Sequence, residues 1–242
     1  NLSEAERLSW LRLSRTENVG PITFRQLLAR FGSATAALTA LPDLAAQGGK
    51  RNLIPPPLAI IEREIAAHRK HGAALLALPD ADYPPLLKQI EDAPPIISVL
   101  GQASLLHKPR PVALVGARNA SLNGRKFAEQ LARELGQAGC ITVSGLARGI
   151  DTSVHQATLA TGTIGVLAGG IDNIYPPENA ALYQSMTEQG CIVAEMPFGS
   201  EPRAQHFPRR NRIVSGLAIG VVVVEAALQS GSLITARLAL EQ

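Results

Sequence analysis

The sequence contains few cysteines, few aromatic residues and no long hydrophobic run. Cysteine occurs only at Cys140 and Cys191 in 242 residues, which excludes a disulfide framework and a cysteine-based metal cluster. The longest apolar stretch, residues 213–227, is shorter than the roughly 18–20 residues of a membrane-spanning helix and contains two glycines and Glu225. We therefore expect no membrane span, and we expect both cysteines to act as small core side chains.

Neither sign of charge dominates the chain. Its 23 lysines and arginines face 20 aspartates and glutamates, for a net charge of +3. This mildly basic balance permits an anionic partner without requiring one. The 46% of hydrophobic residues excludes an intrinsically disordered chain. Residues 1–7 are polar and are typical of a helix start rather than of a secretory signal, so we expect a cytoplasmic protein.

The first 72 residues have the pattern of a small all-helical domain. Ser3 and Glu6 predict a capping box at the first helix. The turn at 18–21 looks like a helix-hairpin-helix turn, whose backbone amides can contact DNA phosphates, and it is equally typical of a purely structural turn. A Gly/Pro-rich loop at 48–57 leads to a fourth helix, which should end at Gly72. We predict one domain at 1–72 and a second at 73–242.

The second domain alternates apolar strands with amphipathic helices. Two short strands are expected at 74–78 and 96–100, and further apolar strands then alternate with helices, at 112–115, 141–143, 163–167, 192–195 and 219–225. Continuous apolar strands separated by helices predict a sheet that is buried on both faces. The fold class is therefore α/β, with a Rossmann-like, doubly wound, mainly parallel sheet after the helical domain.

The loops that follow these strands are rich in glycine, hydroxyl and arginine residues. The carboxyl ends of parallel strands lie at one edge of the sheet, so these loops should together form a binding crevice for an anion. None of them has the G-x-G-x-x-G or P-loop pattern, which disfavours a dinucleotide enzyme. Arg118 and Arg148 lie within the loops, and the arginine fork matches a phosphate group.

The densest basic cluster is HFPRRNR at 206–212. Single-stranded nucleic acid is bound by this combination, because an aromatic ring stacks on bases while arginines hold phosphates. A solvated basic loop, with Phe207 anchored in the core, is the alternative that composition leaves equally open.

Catalytic patterns are sparse. Asp151 and His155 lie four residues apart at a helix start, so they could form a hydrogen-bonded pair or serve separately as a cap and a packing residue. Glu195 and Glu225 both end strands, where they could pair as carboxylates or bind backbone groups and arginines. No nucleophile elbow and no metal-ligand spacing is present. We therefore expect a protein that is not an enzyme, with no catalytic residue, no cofactor and no metal.

Taken together, the strand-end loops resemble the DNA-processing protein A family, DprA or Smf. The resemblance rests on the order and spacing of five motifs, namely VGAR at 115–118, SGLARGID at 144–151, GIDNIYP at 170–176, FPRRNRIVSGL at 207–217 and SGSLITA at 230–236. The N-terminal helices are similar, less specifically, to the SAM-like domain of that family. The resemblance covers residues from about 80 to 242 strongly.

The resemblance implies a protein that binds single-stranded DNA and loads the RecA recombinase during natural transformation. It also implies a homodimer formed through the Rossmann-like domain. Family DNA contacts carry over to Arg118, to Ser144 and Gly145, and to residues of the 207–217 motif. With the neighbouring loop residues, the expected single-stranded-DNA site is Gly116, Arg118, Ser144, Gly145, Arg148, Gly170, Phe207, Arg210, Asn211, Arg212, Ser230 and Gly231.

Two departures and one competing function accompany this interpretation. Ala194 stands where the family often has serine, a minor change. The family pattern usually continues beyond Gln242 with another strand and often a small winged-helix-like domain, so we expect a chain truncated at its C-terminal end. The competing function is a Rossmann-like nucleotide-binding hydrolase, which the thin catalytic pattern disfavours.

Overall fold

The computed structural model describes residues 2–48, 53–228 and 230–242. The predicted loop at 48–57 therefore falls partly outside the described residues. Four helices form the N-terminal part, α1 (Glu4–Ser14), α2 (Pro21–Phe31), α3 (Ala34–Gly48) and α4 (Leu58–His71). The fourth helix ends as expected, because Gly72 adopts the left-handed conformation with φ of 78° and stops it.

The predicted capping box at the first helix is only half formed. Ser3 Oγ accepts a hydrogen bond from Glu6 N at 3.2 Å, which caps α1. The Glu6 carboxylate instead accepts from Ala34 N at 2.6 Å and from the Thr35 hydroxyl at 2.8 Å. It thus caps the neighbouring helix α3, because α1 and α3 pack side by side and bring the unsatisfied amides of α3 within reach.

The four helices share a core that continues onto the edge of the sheet. Trp10 and Phe24 meet edge to face with ring centroids 4.9 Å apart. The same buried cluster includes Ala77 and Ile96, which belong to the first two strands. The helices therefore cover this edge. The predicted domain boundary after residue 72 stays a prediction.

Within the part of the chain that the structure describes, seven strands form one sheet in the order β1-β2-β6-β5-β4-β3-β7. They are β1 (Ala74–Ala77), β2 (Ile96–Gly101), β3 (Pro111–Gly116), β4 (Ile141–Ser144), β5 (Thr163–Leu167), β6 (Cys191–Ala194) and β7 (Gly220–Val224). The pairings among β3 to β7 are parallel, whereas β1 and β2 run antiparallel to their neighbours. The Rossmann-like, mainly parallel sheet is confirmed.

Helices cover both faces of the sheet. One face packs on α5 (Leu122–Gln137), α6 (Ile150–Thr158) and α7 (Ala180–Gln189), and Leu114 points into that side. The other face packs on α8 (His206–Gly216), with Ala113 and Val115 in its core. The last helix, α9 (Gly231–Glu241), packs on α8 and β7. Cys140 and Cys191 are buried free thiols, as expected of core side chains.

Two features differ from the sequence-based expectations. The basic segment from residue 206 forms helix α8 rather than a loop, and Arg210 through Gly216 are all buried in it. Strand β7, expected to be buried on both faces, lies at the edge of the sheet, where Val222 is 37% exposed. Within the described residues, no helix combines the length and apolarity needed to cross a membrane.

Candidate nucleic-acid interface

The loops at the carboxyl ends of the strands meet in one crevice. Strand β3 pairs with β4 on one side and with β7 on the other, so the chain order reverses at β3. Open parallel sheets bind ligands at such a reversal, beyond the carboxyl ends of the strands. Two adjoining cavities lie there. The first follows β4 and β5 and the second lies between the ends of β3 and β7, and we call them the β4–β5 cavity and the β3–β7 cavity.

The β4–β5 cavity has a volume of about 220 Å³. It is lined by residues at the carboxyl ends of β4 and β5, including Gly145, which directly follows β4, and Leu167, which ends β5. Its walls carry Arg118, Arg148 and Arg210 together with the rings of Tyr175 and Phe207. Cationic and aromatic side chains therefore surround the same small space.

Arg118 and Phe207 are stacked at the mouth of the crevice. The Arg118 guanidinium carbon lies 4.6 Å from the centroid of the Phe207 ring, and the Tyr175 ring meets Phe207 edge to face at 5.8 Å. Among the residues that the structure describes, no carboxylate lies within ion-pair distance of Arg118. An exposed planar cation beside an aromatic ring is thus available to a phosphate or a base.

Arg210 lines the same two cavities as this pair and is almost completely buried. Its side chain is 7% exposed and packs directly on Gly145, where an added Cβ would lie 1.2 Å from Arg210 Nη1. Gly145 is therefore required for this close approach. The Asp151 carboxylate is 4.0 Å away, and Arg210 Nε has no hydrogen-bond partner among the described residues. Burial lowers the pKa of Arg210, Asp151 opposes that shift, and the nearby Arg118 adds to it.

Asp151 shapes the loop that carries Gly145. Its carboxylate accepts hydrogen bonds from Gly145 N at 3.1 Å and from Ala147 N at 3.3 Å. Burial raises the pKa of Asp151, although the charge of Arg210 favours the ionised carboxylate. The carboxylate thus fixes the loop and offsets part of the charge of Arg210.

His155 does not take part in the site. Its Nδ1 lies 2.7 Å from the Thr163 hydroxyl in the core beneath β5, and burial lowers its pKa to about 3. Asp151 and His155 therefore have separate partners and form no acid–base pair. The interpretation of His155 as a packing residue fits these contacts.

The other predicted site residues lie around the two cavities. Ser144 is buried and donates to the Leu114 carbonyl at 2.6 Å, and Asn211 Nδ2 donates to the Gly231 carbonyl at 3.1 Å. Arg148 is exposed, 3.5 Å from Glu178. The residues of the predicted set that line at least one cavity are Gly116, Arg118, Gly145, Arg148, Phe207, Arg210, Asn211, Ser230 and Gly231. Gly170 lies beside the crevice, packed against the Pro197 carbonyl.

Arg212 is placed away from both cavities. Its guanidinium is buried, with Nη2 at 2.5 Å from Glu195 Oε1 and Nε at 3.4 Å from Asp92. Glu195 therefore binds an arginine, one of the two roles expected of it. Glu225 accepts hydrogen bonds from the amide and hydroxyl of Ser121, so the two glutamates do not form a carboxylate pair.

Several residues of the crevice were absent from the predicted set, among them Asn119, Tyr175 and Asp151. Asn119 and Tyr175 line the β4–β5 cavity, and Asp151 lines the β3–β7 cavity. Asn119 directly follows Arg118, and Tyr175 lies in the 170–176 motif, so position within a strand-end loop was the available signal.

The fold and the site define a Rossmann-like protein with an arginine- and aromatic-lined crevice at the switch point of its sheet, preceded by a helical domain. Residues 74–242 match the family model of DNA recombination-mediator protein A, and residues 4–67 match the DprA-like N-terminal HHH domain. The chain belongs to the DNA recombination-mediator protein A family.

Similar proteins come from several bacteria. The chain is 43% identical to DNA processing protein DprA of Bacillus subtilis over 75% of its length and 62% of that relative. It is 34% identical to Protein Smf of Synechocystis over 99% of its length and 63% of that relative. The chain thus spans less than two thirds of the length of these two relatives.

Two solved structures share the fold. The X-ray structure of DprA from Streptococcus pneumoniae is 32% identical and superposes with a TM-score of 0.76, covering 100% of this chain and 84% of that one. DNA processing protein A from Helicobacter pylori, described for its single-stranded DNA binding mode, is 31% identical with a TM-score of 0.65. That superposition covers 70% of this chain and 76% of the Helicobacter pylori chain.

Proposed function

We propose that the crevice binds single-stranded DNA. The observation that carries this proposal is the Arg118 guanidinium stacked on Phe207 in a cavity that the buried Arg210 also lines. Arginines in this position hold backbone phosphates, and the aromatic rings offer faces on which bases stack. Because every base has such a face, binding should tolerate any sequence.

The shape of the crevice favours a single strand over a duplex. The β4–β5 cavity is a recess of about 220 Å³ with the Phe207 and Tyr175 rings in its wall. A base can enter it only when it is unpaired and unstacked from its neighbours. The Helicobacter pylori relative is described as binding single-stranded DNA, which supports a single-stranded ligand here.

We further propose that the protein acts as a recombination mediator in the cytoplasm. In this role it protects incoming single strands and loads RecA recombinase on them during natural transformation, as a homodimer. Membership in a recombination-mediator family supports the role, and RecA and the homodimer follow from the family resemblance.

Fluorescence anisotropy of a labelled poly-dT oligonucleotide tests the proposal. We expect binding that weakens with salt, by about 0.7 in the log–log slope for each phosphate held. Unlabelled duplex should compete poorly. Competition by a nucleoside monophosphate alone, or release of base or phosphate from a nucleotide, would instead indicate the competing hydrolase function.

A further inference from the structure

The crevice contains a second cavity, which would stay empty if single-stranded DNA bound only in the β4–β5 cavity. The β3–β7 cavity has a volume of about 510 Å³, more than twice that of the β4–β5 cavity. It is bordered by the end of β3, by the loop after β7 and by the first turns of α9. Five residues line both cavities, so the two spaces are adjacent, namely Arg118, Asn119, Ala147, Phe207 and Arg210.

The position of the β3–β7 cavity is that of a ligand site. Gly116, at the end of β3, pairs in register with Val224, at the end of β7, and the cavity opens beyond this pair. This is the point where the strand order reverses. A Cβ on Gly116 would meet the Val224 carbonyl at 1.9 Å and the Ile150 side chain at 2.6 Å, so the close packing of β3 at this end requires glycine.

The cationic groups around the β3–β7 cavity suit an anion, and the Asp151 carboxylate that also borders it is buried and accepts hydrogen bonds from Gly145 N and Ala147 N. Helix α9 begins at Gly231, and the Ser230 side chain makes no capping hydrogen bond to it, because its hydroxyl pairs with that of Ser232 at 2.8 Å. The amino end of α9 therefore offers partial positive charge to the cavity. Independently, Arg210 borders the cavity with a buried Nε that lacks a partner among the described residues.

The stacked Arg118–Phe207 pair stands between the two cavities. A phosphate bound at the exposed Arg118 guanidinium would leave its two flanking nucleosides on opposite sides of the pair. We propose that consecutive nucleotides of one strand occupy both cavities, so that the β3–β7 cavity is a second nucleotide subsite. This inference rests on the proposed function and defines the smallest ligand that fills the crevice as a dinucleotide step rather than a single nucleotide.

Filling the second cavity tests the inference. Gly231 borders only the β3–β7 cavity, has no heavy atom within 4 Å of a built Cβ and lacks a left-handed φ, so Gly231→Leu should fold normally. The matched control is Gly220→Leu, at the opposite end of β7, where the Cβ also meets open space. Each variant is titrated with 5′-phosphorylated thymidine, (dT)2 and (dT)6.

For the wild type we expect a gain in affinity from one nucleotide to two. Gly231→Leu should lose that gain, with (dT)6 binding about tenfold weaker, the loss expected for one stacked base, while the mononucleotide binds as before. Gly220→Leu should behave as the wild type. Unchanged (dT)6 affinity in Gly231→Leu, or an equal loss in Gly220→Leu, would overturn the second subsite.

A charge-based pair of variants gives an independent test. Ile234 borders the β3–β7 cavity and is partly exposed, whereas Leu240 on the same helix is 90% exposed and borders neither of the two cavities. Ile234→Glu should weaken (dT)6 binding more than Leu240→Glu, and equal effects would contradict the subsite. Should the wild type fail to bind (dT)6 at all, the proposed function itself would fail, which is a distinct outcome.

Discussion

Replacing Arg118 with alanine removes the exposed cation that the crevice offers to a phosphate. Arg118 borders both cavities and has no carboxylate partner among the described residues, so its charge remains available to a ligand. Its charge also helps to lower the pKa of Arg210, which shows that two cations share a small volume. An anion between them relieves this repulsion, and the loss of one cation should weaken the site.

The magnitude follows from the contact that is lost. A hydrogen bond between charged groups contributes about 1.5–3 kcal/mol, so Arg118→Ala should weaken poly-dT binding by roughly 10- to 150-fold. The slope of log affinity against log salt should fall by about 0.7. Stability should change little, because a cation–π contact at an exposed site contributes about 0.5–1 kcal/mol. The free energy of unfolding in urea measures this change in stability.

Two further variants separate charge from geometry. Arg118→Lys keeps the charge but loses the planar fork, so its affinity should lie between those of the wild type and Arg118→Ala. Arg133→Ala removes the same charge from the exposed face of α5, where the arginine pairs with Glu129, and should bind as the wild type. If Arg118→Ala keeps both the affinity and the salt slope of the wild type, the placement of the phosphate is wrong.

Three other changes address the architecture of the site. Gly145→Ala should push the Arg210 guanidinium away from its position against residue 145. The affinity for poly-dT, measured by fluorescence anisotropy, should then fall about tenfold. Arg212→Ala should lower the free energy of unfolding in urea by about 3 kcal/mol, because the buried Glu195 loses its ion-pair partner. His155, with its pKa lowered to about 3, binds its proton first in the unfolded state, so the stability it supports is complete above its unfolded pKa of 6.5 and falls as the pH drops towards 3. Between pH 6.5 and 5 the free energy of unfolding should fall by about 2 kcal/mol for this reason. In His155→Gln the fall measured by urea unfolding over the same pH range should be smaller by that amount.

The parallel sheet could be predicted from sequence because its strands carry no charged residues and few polar ones. A strand such as β4 or β5 is buried on both faces, and its four or five residues contain no charge to suggest another placement. Strand β7 has the same composition yet lies at the edge of the sheet. Composition records apolarity but not the lateral order of the strands, which the pairing of β3 with both β4 and β7 decides.

The site was predicted in part for a similar reason. Strand ends could be located from the sequence, and Arg118 and Gly145, which were expected there, line the crevice. The segment from residue 206 was harder, because its periodicity did not predict helix α8. On that helix Arg210 faces Gly145, whereas Arg212, two residues later, faces Glu195 on another side. Which arginine faces the crevice depends on how α8 packs on the sheet.

A crystal structure of the protein with bound (dT)6 tests the central claim most directly. The account predicts a phosphate at the Arg118 guanidinium and an unpaired base in the β4–β5 cavity, beside Phe207 and Arg210. An oligonucleotide bound at another surface, with the crevice empty of nucleotide, would contradict it.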